Sequence, residues 1–289
     1  MQPQRKQLQD GRWHFHYGPI DLVISIDGER VDIERALSAC WCRFAQILPE
    51  LVVELSVLRQ PLTQAAWMQS PVARRMVRAC WPHRSQFITP MAAVAGAVAD
   101  ELIGFFAAEP GIQRASINNG GDIAIHLQAG QQYSVGLVTD IANLSAEPQG
   151  RFDVDAAMPV RGIATSGWRG RSMSLGIADS VTVLAECAAV ADAAATMIAN
   201  AVNVQHAAIE RAPANTLKDD TDLGERLVTT AVGPLPTTLI NQALDSGARY
   251  AQQLQADGLI FAAMLTLQGQ QRLLVTTPDT SGFQVKEAA

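Results

Sequence analysis

The order of short strands and helices along this 289-residue chain restricts its fold more than any other feature of the sequence. Strand-like segments come in pairs, as in "HFHYGPIDLVISIDG" at 14–28, where a turn at Gly18 and Pro19 separates two apolar runs. The segments between such pairs have the apolar spacing of helices, and single strand–helix steps are rare. We therefore predict an α+β fold, in which helices pack on a mostly antiparallel sheet.

We interpret residues 1–289 as a single domain in three parts. The parts are N-terminal strands and helices at 1–84, a motif-bearing core at 85–205, and a C-terminal helix with strands at 206–289. The stretches "AAVAGAVAD" at 92–100 and "AAVADAAAT" at 188–196 agree at six of nine positions. An internal duplication is therefore one alternative, although helices rich in alanine also match by chance.

The first long helical segment, at 32–55, contains a proline and two of the four cysteines of the chain. Pro49 is expected to end one helix and to start a second, because proline fits the first turn of a helix. Cys40 and Cys42 lie two residues apart and therefore point to different faces of this helix. We interpret the cysteines as reduced thiols that pack in the fold, not as a disulfide framework.

Composition and charge narrow the class of protein. The net charge of −6 argues against a general nucleic-acid binder, which needs a basic surface. The polar N-terminal residues contain no apolar signal core, and charged or amide side chains interrupt every apolar stretch before it reaches about 18 residues. We therefore expect a cytoplasmic protein with no nucleic-acid partner and no membrane span.

The alanine-rich segment "AAVADAAATMIANAV" at 188–202 contains an acid that its apolar surroundings make unusual. Asp192 and Thr196 are four residues apart, so both side chains project from one side of a helix. A carboxylate and a hydroxyl in this arrangement offer two hard oxygen ligands for Mg²⁺. The alternative is a surface aspartate beside a threonine that bonds to its own backbone.

The segment "SINNGGDIAIH" at 116–126 is a second candidate site. Gly120 and Gly121 permit positive φ angles and leave room for a ligand against bare backbone. Asn119 offers an amide and Asp122 offers a carboxylate. The alternative is a turn that leads into a strand.

The segment "IATSGWRGRSMSLG" at 163–176 is a third candidate, for a phosphate group. Hydroxyl and backbone amide groups can surround a phosphate, and arginine can neutralise its charge. The candidate residues are Thr165, Ser166, Gly167, Arg169 and Arg171. The alternative is a surface loop with two solvated arginines.

The order of these segments resembles that of the ApbE-like superfamily of flavin transferases. The matching segments are "NNGGDIAI", "ATSG", "DSVTVLA" and "ADAAAT", which together span about residues 85–205. The stretches "PMAAVAGAVAD" and "GRSMSLGIADSVTVLA" are similar to an uncharacterised cytoplasmic branch of that superfamily. The resemblance implies an ApbE-like fold.

The resemblance also implies cofactors and roles. Family flavin transferases bind FAD and Mg²⁺, and they transfer FMN to a threonine of a partner protein or hydrolyse FAD to FMN and AMP. The aspartate and threonine of the family helix motif hold the metal, and they correspond to Asp192 and Thr196. The expected partner is a small nucleotide or flavin. Independently of the resemblance, the small size of Ala92, Ala93, Gly96 and Ala97 suits either packing of helix against helix or sheet, or the seam of a homodimer.

One departure from the family pattern bears on catalysis. The flavin transferases carry a His-Ile-x-Asp-Pro-x-Thr-Gly segment, whereas residues 167–180 of this chain contain no histidine. The resemblance therefore assigns no catalytic residue. Two functions are open: an FAD-dependent FMN transferase or FAD pyrophosphatase, and a non-catalytic ligand-binding or scaffold protein. The resemblance links the second to sulfur and homocysteine metabolism.

Overall fold

The computed structural model describes residues 2–64, 67–137 and 150–275, and its antiparallel strands with packed helices confirm the α+β class. The helices are α1 (Arg30–Leu58), α2 (Pro71–Cys80), α3 (Val94–Ala107), α4 (Ala188–Ala201), α5 (Ala214–Leu217) and α6 (Thr237–Ala256). The first strands are β1 (Gln4–Gln7), β2 (Trp13–Tyr17), β3 (Ile20–Gly28), β4 (Ile112–Asn119), β5 (Asp122–Leu127), β6 (Gln132–Leu137) and β7 (Gly150–Asp155). They are followed by β8 (Gly162–Ser166), β9 (Ser180–Ala185), β10 (Ile209–Pro213), β11 (Leu227–Val232), β12 (Ala262–Leu267) and β13 (Gln270–Val275).

The chain divides into two compact units, each made of three segments. The first unit consists of Met1–Tyr133, Val154–Ala164 and Glu186–Ala193. The second unit consists of Ser134–Asp153, Thr165–Ala185 and Ala194–Ala289. The single domain expected over residues 1–289 and its internal boundaries stay predictions.

In the first unit, strands β1 to β5 pair antiparallel in chain order. Alternate residues of β3 are buried, among them Leu22 and Ile24, as the alternating pattern of a half-buried strand requires. Phe15 of β2 packs against Phe44 of α1, with 5.4 Å between the ring centroids. Helix α1 therefore covers one face of this part of the sheet.

The expected break at Pro49 is wrong, because α1 is one helix of 29 residues that continues through the proline. Buried side chains lie on the same face before and after this residue, among them Ile47 and Leu51. Their burial offsets the backbone hydrogen bond that a proline inside a helix removes. Cys40 is buried and Cys42 is exposed, as their spacing predicted, and all four cysteines are free thiols.

In the second unit, β12 pairs antiparallel with β9 and with β13, and β10 pairs with β11. Helix α6 packs on β12 and β13. At Gly247 of α6, a β-carbon would overlap Val202 and would lie 2.8 Å from Leu265, so the absence of a side chain permits this close packing.

Within the described residues, two helical stretches are long and apolar enough to cross a membrane by length and composition. They are Arg30–Leu58 and Pro90–Ala107. Of the most apolar 18 residues in each stretch, 33% are buried in the first and 44% in the second. The absence of a membrane span and the cytoplasmic location stay predictions.

Candidate functional site

The paired glycines form the turn of a β-hairpin in the first unit. Asn119 of β4 lies opposite Asp122 of β5, so that Gly120 and Gly121 are the two loop residues. Their φ angles are 69° and 116°, which the turns preferred by two-residue hairpins require and which glycine adopts without strain. The Asn118 side chain accepts a hydrogen bond from the Gly121 N–H at 2.9 Å. The turn that the sequence analysis gave as the alternative to a ligand site is therefore present, and a β-carbon at Gly121 would meet open space.

The hairpin turn and Asp192 form hydrogen bonds with consecutive residues of the same helix. Asn119 Nδ2 donates to the Ala95 carbonyl at 3.1 Å, and the Gly96 N–H donates to Asp192 Oδ2 at 3.0 Å. Ala95 and Gly96 belong to the first turn of α3. Within the first unit, the asparagine–glycine turn and the aspartate of α4 therefore both contact the first turn of α3.

The approach of α3 to α4 is close because Gly96 has no side chain. A β-carbon at Gly96 would overlap the carbonyl group of Ala188, the first residue of α4. Ala93, Gly96 and Ala97 are buried. Gly96 therefore packs helix against helix, which is one of the roles that the sequence indicated for the small residues.

Asp100 of α3 is a site residue that the sequence analysis missed. Its carboxylate accepts hydrogen bonds from the N–H groups of Ala188 and Ala189, each at 2.8 Å. These are free donors at the N-terminus of α4, where an acid is favoured. Asp100 and Asp192 thus bind the starts of each other's helices. The signal in the sequence was Asp100 itself, the acid that ends the "AAVAGAVAD" repeat.

Asp192 is half-buried, so part of its surface remains open to solvent. Its burial raises its pKa well above the ordinary value, because a charged carboxylate loses hydration there, and the nearby charge of Asp122 raises the pKa further. Hydrogen bonds from the N–H groups of Gly96 and Ala95 act in the opposite direction. The carboxylate is therefore held at a place that disfavours its charge.

A bound cation would reverse this electrostatic disadvantage. Among the described residues, no three or more His, Cys, Asp or Glu side chains are grouped so that they could hold a metal ion. Any cation at Asp192 would therefore take most of its ligands from hydroxyls, water or a bound phosphate, as Mg²⁺ commonly does. Thr196 lies one helical turn after Asp192 on α4 and is half-buried.

The Thr165–Gly167 turn lies in the second unit, at the end of β8. Thr165 and Thr182 of β9 share a hydrogen bond of 2.9 Å between their hydroxyls. A β-carbon at Gly167 would overlap the Asp179 carbonyl, and the Trp168 N–H donates to the Ala178 carbonyl at 3.0 Å. The turn is therefore pressed against the residues that precede β9.

Asp179 holds this turn in place and is the second residue that the sequence analysis missed. Its carboxylate accepts hydrogen bonds from Trp168 Nε1 at 3.1 Å and from the Gln268 N–H at 2.6 Å. The Arg169 Nε atom lies 3.4 Å from the same carboxylate. The signal in the sequence was that Asp179 is the only acid between residues 163 and 185.

These contacts distinguish the two arginines that the sequence indicated as phosphate ligands. Arg169 pairs with Asp179, and its guanidinium carbon lies 5.1 Å from the centre of the Trp168 ring. Arg171 is exposed, and about a third of the Arg169 side chain (35%) is exposed. Since Asp179 offsets the charge of Arg169, Arg171 is the more available cation of the pair.

A protein-family model described as "AbpE bacteria" matches residues 5–273 of the chain. The chain is similar to the UPF0280 protein of Methanocaldococcus jannaschii, with 40% identity over 115 residues that cover 39% of this chain and 45% of the relative. It is also similar to the UPF0280 protein of Methanopyrus kandleri, with 41% identity over 144 residues that cover 49% of this chain and 54% of the relative. The chain spans about half the length of the curated relatives it matches.

Solved structures of flavin transferases are similar at lower identity. The flavinyl transferase ApbE of Pseudomonas stutzeri, in its apo form, is 11% identical, with 98% of each chain covered and a TM-score of 0.46. The flavin transferase ApbE of Vibrio cholerae is 11% identical, with 95% of this chain and 98% of that chain covered and a TM-score of 0.44.

Proposed function

Because the chain belongs to the AbpE bacteria family, we propose that it binds a flavin nucleotide or a related adenine nucleotide together with Mg²⁺. The kinship with the ApbE-like superfamily that the motifs predicted is thereby confirmed. The single observation that carries the proposal is the half-buried Asp192, whose charge is disfavoured by burial and by Asp122. A dication with a pyrophosphate would neutralise it.

In this proposal, the first unit supplies the carboxylate that binds the metal and the surface beside that carboxylate. Asp192 holds Mg²⁺, with the Thr196 hydroxyl one helical turn later as the further ligand that the resemblance implies. Gly121 leaves backbone uncovered beside Gly120, and the Asn119 amide and the Asp122 carboxylate flank the two glycines. When bound, Mg²⁺ supplies positive charge to the pyrophosphate oxygens.

The second unit supplies a separate candidate for phosphate contact. The Thr165 and Ser166 hydroxyls and the Gly167 amide are the groups that we assign to it, with Arg171 as the principal cation and Arg169 as a weaker one. A guanidinium binds phosphate with two parallel hydrogen bonds, which lysine cannot reproduce. Arg171→Lys is therefore expected to weaken nucleotide binding.

A second candidate function, ligand binding without FMN transfer, is favoured by the residues that follow the turn. Trp168, Arg169 and Asp179 contact one another within the segment where the flavin transferases carry a histidine. None of these side chains is a usual general base in this arrangement, since Asp179 already accepts two hydrogen bonds. FMN transfer, FAD cleavage and a role in sulfur or homocysteine metabolism remain the finer alternatives. Chromatography of FAD incubated with the protein and Mg²⁺ distinguishes binding from cleavage, because only cleavage releases AMP.

The thermal stability of the pure protein tests the binding proposal. A ligand that binds only the folded state raises the melting temperature, and about 100 times its dissociation constant adds about 2.7 kcal/mol. We expect FAD with Mg²⁺ to raise the melting temperature, and FAD with EDTA to raise it less. No shift with FAD, FMN, ADP or AMP, with or without Mg²⁺, would contradict the proposal.

The pH dependence of stability tests the charge on Asp192. Because its folded pKa is raised above the unfolded value, its contribution to stability is complete below about pH 4 and is lost as the pH rises through the folded pKa. Asp192→Asn keeps an oxygen for the Gly96 N–H and cannot ionise. In EDTA, the melting temperature of the variant relative to the wild type should therefore increase from pH 4 to pH 8.

Addition of Mg²⁺ supplies the matched control for this comparison. At pH 8 the cation should raise the melting temperature of the wild type and leave Asp192→Asn unchanged, because only the wild type presents a carboxylate. At pH 4 the cation should have little effect on either protein. An equal response of both proteins at pH 8 would show that the cation binds elsewhere.

A further inference from the structure

The outward face of α1 is unlike the surface of an ordinary soluble helix. Nine side chains between Ala36 and Leu58 are exposed, and none of them is charged. They are Ser38, Ala39, Cys42, Gln46, Pro49, Val52, Val53, Ser56 and Val57. Val53 is 82% exposed and Val52 is 57% exposed, so more than half of each of these two valines is in contact with water. We call these nine residues the α1 face.

Charged side chains in the same part of α1 are engaged by partners within the fold. Arg43 binds Glu50 through both of its terminal nitrogens and contacts Glu101 through Nε at 2.9 Å. The Glu54 carboxylate accepts hydrogen bonds from the N–H groups of Gln69 and Ser70, at 2.7 and 3.0 Å. The nine residues of the α1 face therefore form a surface without charged side chains.

From this surface we propose that the α1 face binds the α1 face of a second copy of this chain, as the centre of a two-fold symmetric dimer. A two-fold interface places the same patch of both copies in contact, so a patch with one sign of charge would repel itself. The α1 face is free of charge along its length, and its pairing with itself therefore buries no unpaired charge. Depletion of charged residues is also typical of interface centres.

The charge of the chain argues against a lipid surface as the occupant. Peripheral membrane binding by an apolar helix face is strengthened by lysine and arginine beside that face, because the inner leaflet is anionic. Here the arginine within this span, Arg43, is neutralised by acids, and the chain as a whole has a net charge of −6. The α1 face therefore lacks the basic side chains that would strengthen its binding to an anionic membrane.

The size of the α1 face sets the expected strength of the dimer. A span of 20 residues, from Ser38 to Val57, is about 30 Å long and about 10 Å wide, or about 300 Å². A standard interface buries about 800 Å² on each partner, so surrounding side chains must contribute. Trp67 is 88% exposed and precedes the Gln69–Ser70 stretch that Glu54 holds beside α1. We expect a dissociation constant of about 1–100 μM.

The molar mass in solution tests this proposal on the full chain. Light scattering after gel filtration, from about 1 μM to about 100 μM, should show a monomer that becomes a dimer as concentration rises. Val53→Glu places a charge at the centre of the interface and should raise the dissociation constant at least about tenfold. Leu217→Glu is the matched control, since Leu217 is 52% exposed in the second unit, and this variant should dimerise as the wild type does.

Cys42 supplies a measurement that needs no variant, because it is an exposed thiol on the α1 face. Its rate of alkylation should fall as the protein concentration rises through the dissociation constant. A wild type that stays monomeric at all concentrations would overturn the proposal, and so would a Val53→Glu variant that dimerises like the wild type. Flotation of a monomeric wild type with vesicles of anionic phospholipid, lost in Val53→Glu, would overturn it in favour of a lipid partner.

Discussion

Gly162→Ala is expected to lower the melting temperature by about 6–12 °C, because the added methyl group has no space in the first unit. A β-carbon at Gly162 of β8 would overlap the carbonyl carbon of Cys187 and the amide nitrogen of Ala188. Both are backbone atoms, so no change of side-chain rotamer relieves the overlap. Displacement of the start of α4 is expected to cost about 3 kcal/mol or more, measured by thermal and urea unfolding.

Gly104→Ala is the control for this substitution. A β-carbon at Gly104 of α3 would meet no atom within 4 Å, and the position is exposed. Alanine is favoured over glycine inside a helix by about 1 kcal/mol, so this variant should be as stable as the wild type or more stable. If Gly162→Ala and Gly104→Ala had the same melting temperature, the close contact of β8 with the start of α4 would be wrong.

Asp179→Ala is expected to lower the free energy of unfolding by about 3 kcal/mol, the second large effect. The variant would remove the acceptor for Trp168 Nε1 and for the Gln268 N–H, and it would leave Arg169 without its carboxylate. Urea unfolding measures the loss. A change in tryptophan emission in the folded state would report the altered surroundings of Trp168.

Asp179→Asn separates the hydrogen bonds of Asp179 from its charge. The amide retains one acceptor oxygen, so this variant should lose less stability than Asp179→Ala while it still weakens the contact with Arg169. A loss below about 0.5 kcal/mol in Asp179→Ala would mean that the Thr165–Gly167 turn is held by its backbone contacts alone.

Local patterns were sufficient to predict most elements of the fold. The turn at Gly18 and Pro19, the strand "SVTV" at 180–183 and the alanine-rich helix at 188–201 are all present. Each depends on apolar spacing and turn residues that lie within a few positions of one another. The hairpin at Gly120 and Gly121 was equally visible, since two adjacent glycines between apolar runs favour such a turn.

The contacts that organise the candidate site could not be predicted in this way. Asp100 binds amides 88 and 89 residues further along the chain, and Asp179 binds the Gln268 amide 89 residues away. Nothing in the residues near an acid indicates such a partner, because the partner is brought in by the tertiary fold. The break expected at Pro49 failed for a related reason: burial of a continuous apolar face outweighed the local preference of proline.

A calorimetric titration of the pure protein with FAD, carried out in Mg²⁺ and again in EDTA, tests whether Asp192 binds the nucleotide through Mg²⁺. We expect FAD to bind the wild type at least about tenfold more weakly in EDTA than in Mg²⁺, and to bind Asp192→Ala equally weakly in both solutions. Asp192→Ala must be shown to be folded by its circular dichroism, because it also loses the bond to the Gly96 N–H. Binding of FAD by Asp192→Ala with the wild-type affinity and the wild-type response to Mg²⁺ would show that Asp192 holds no metal for the nucleotide.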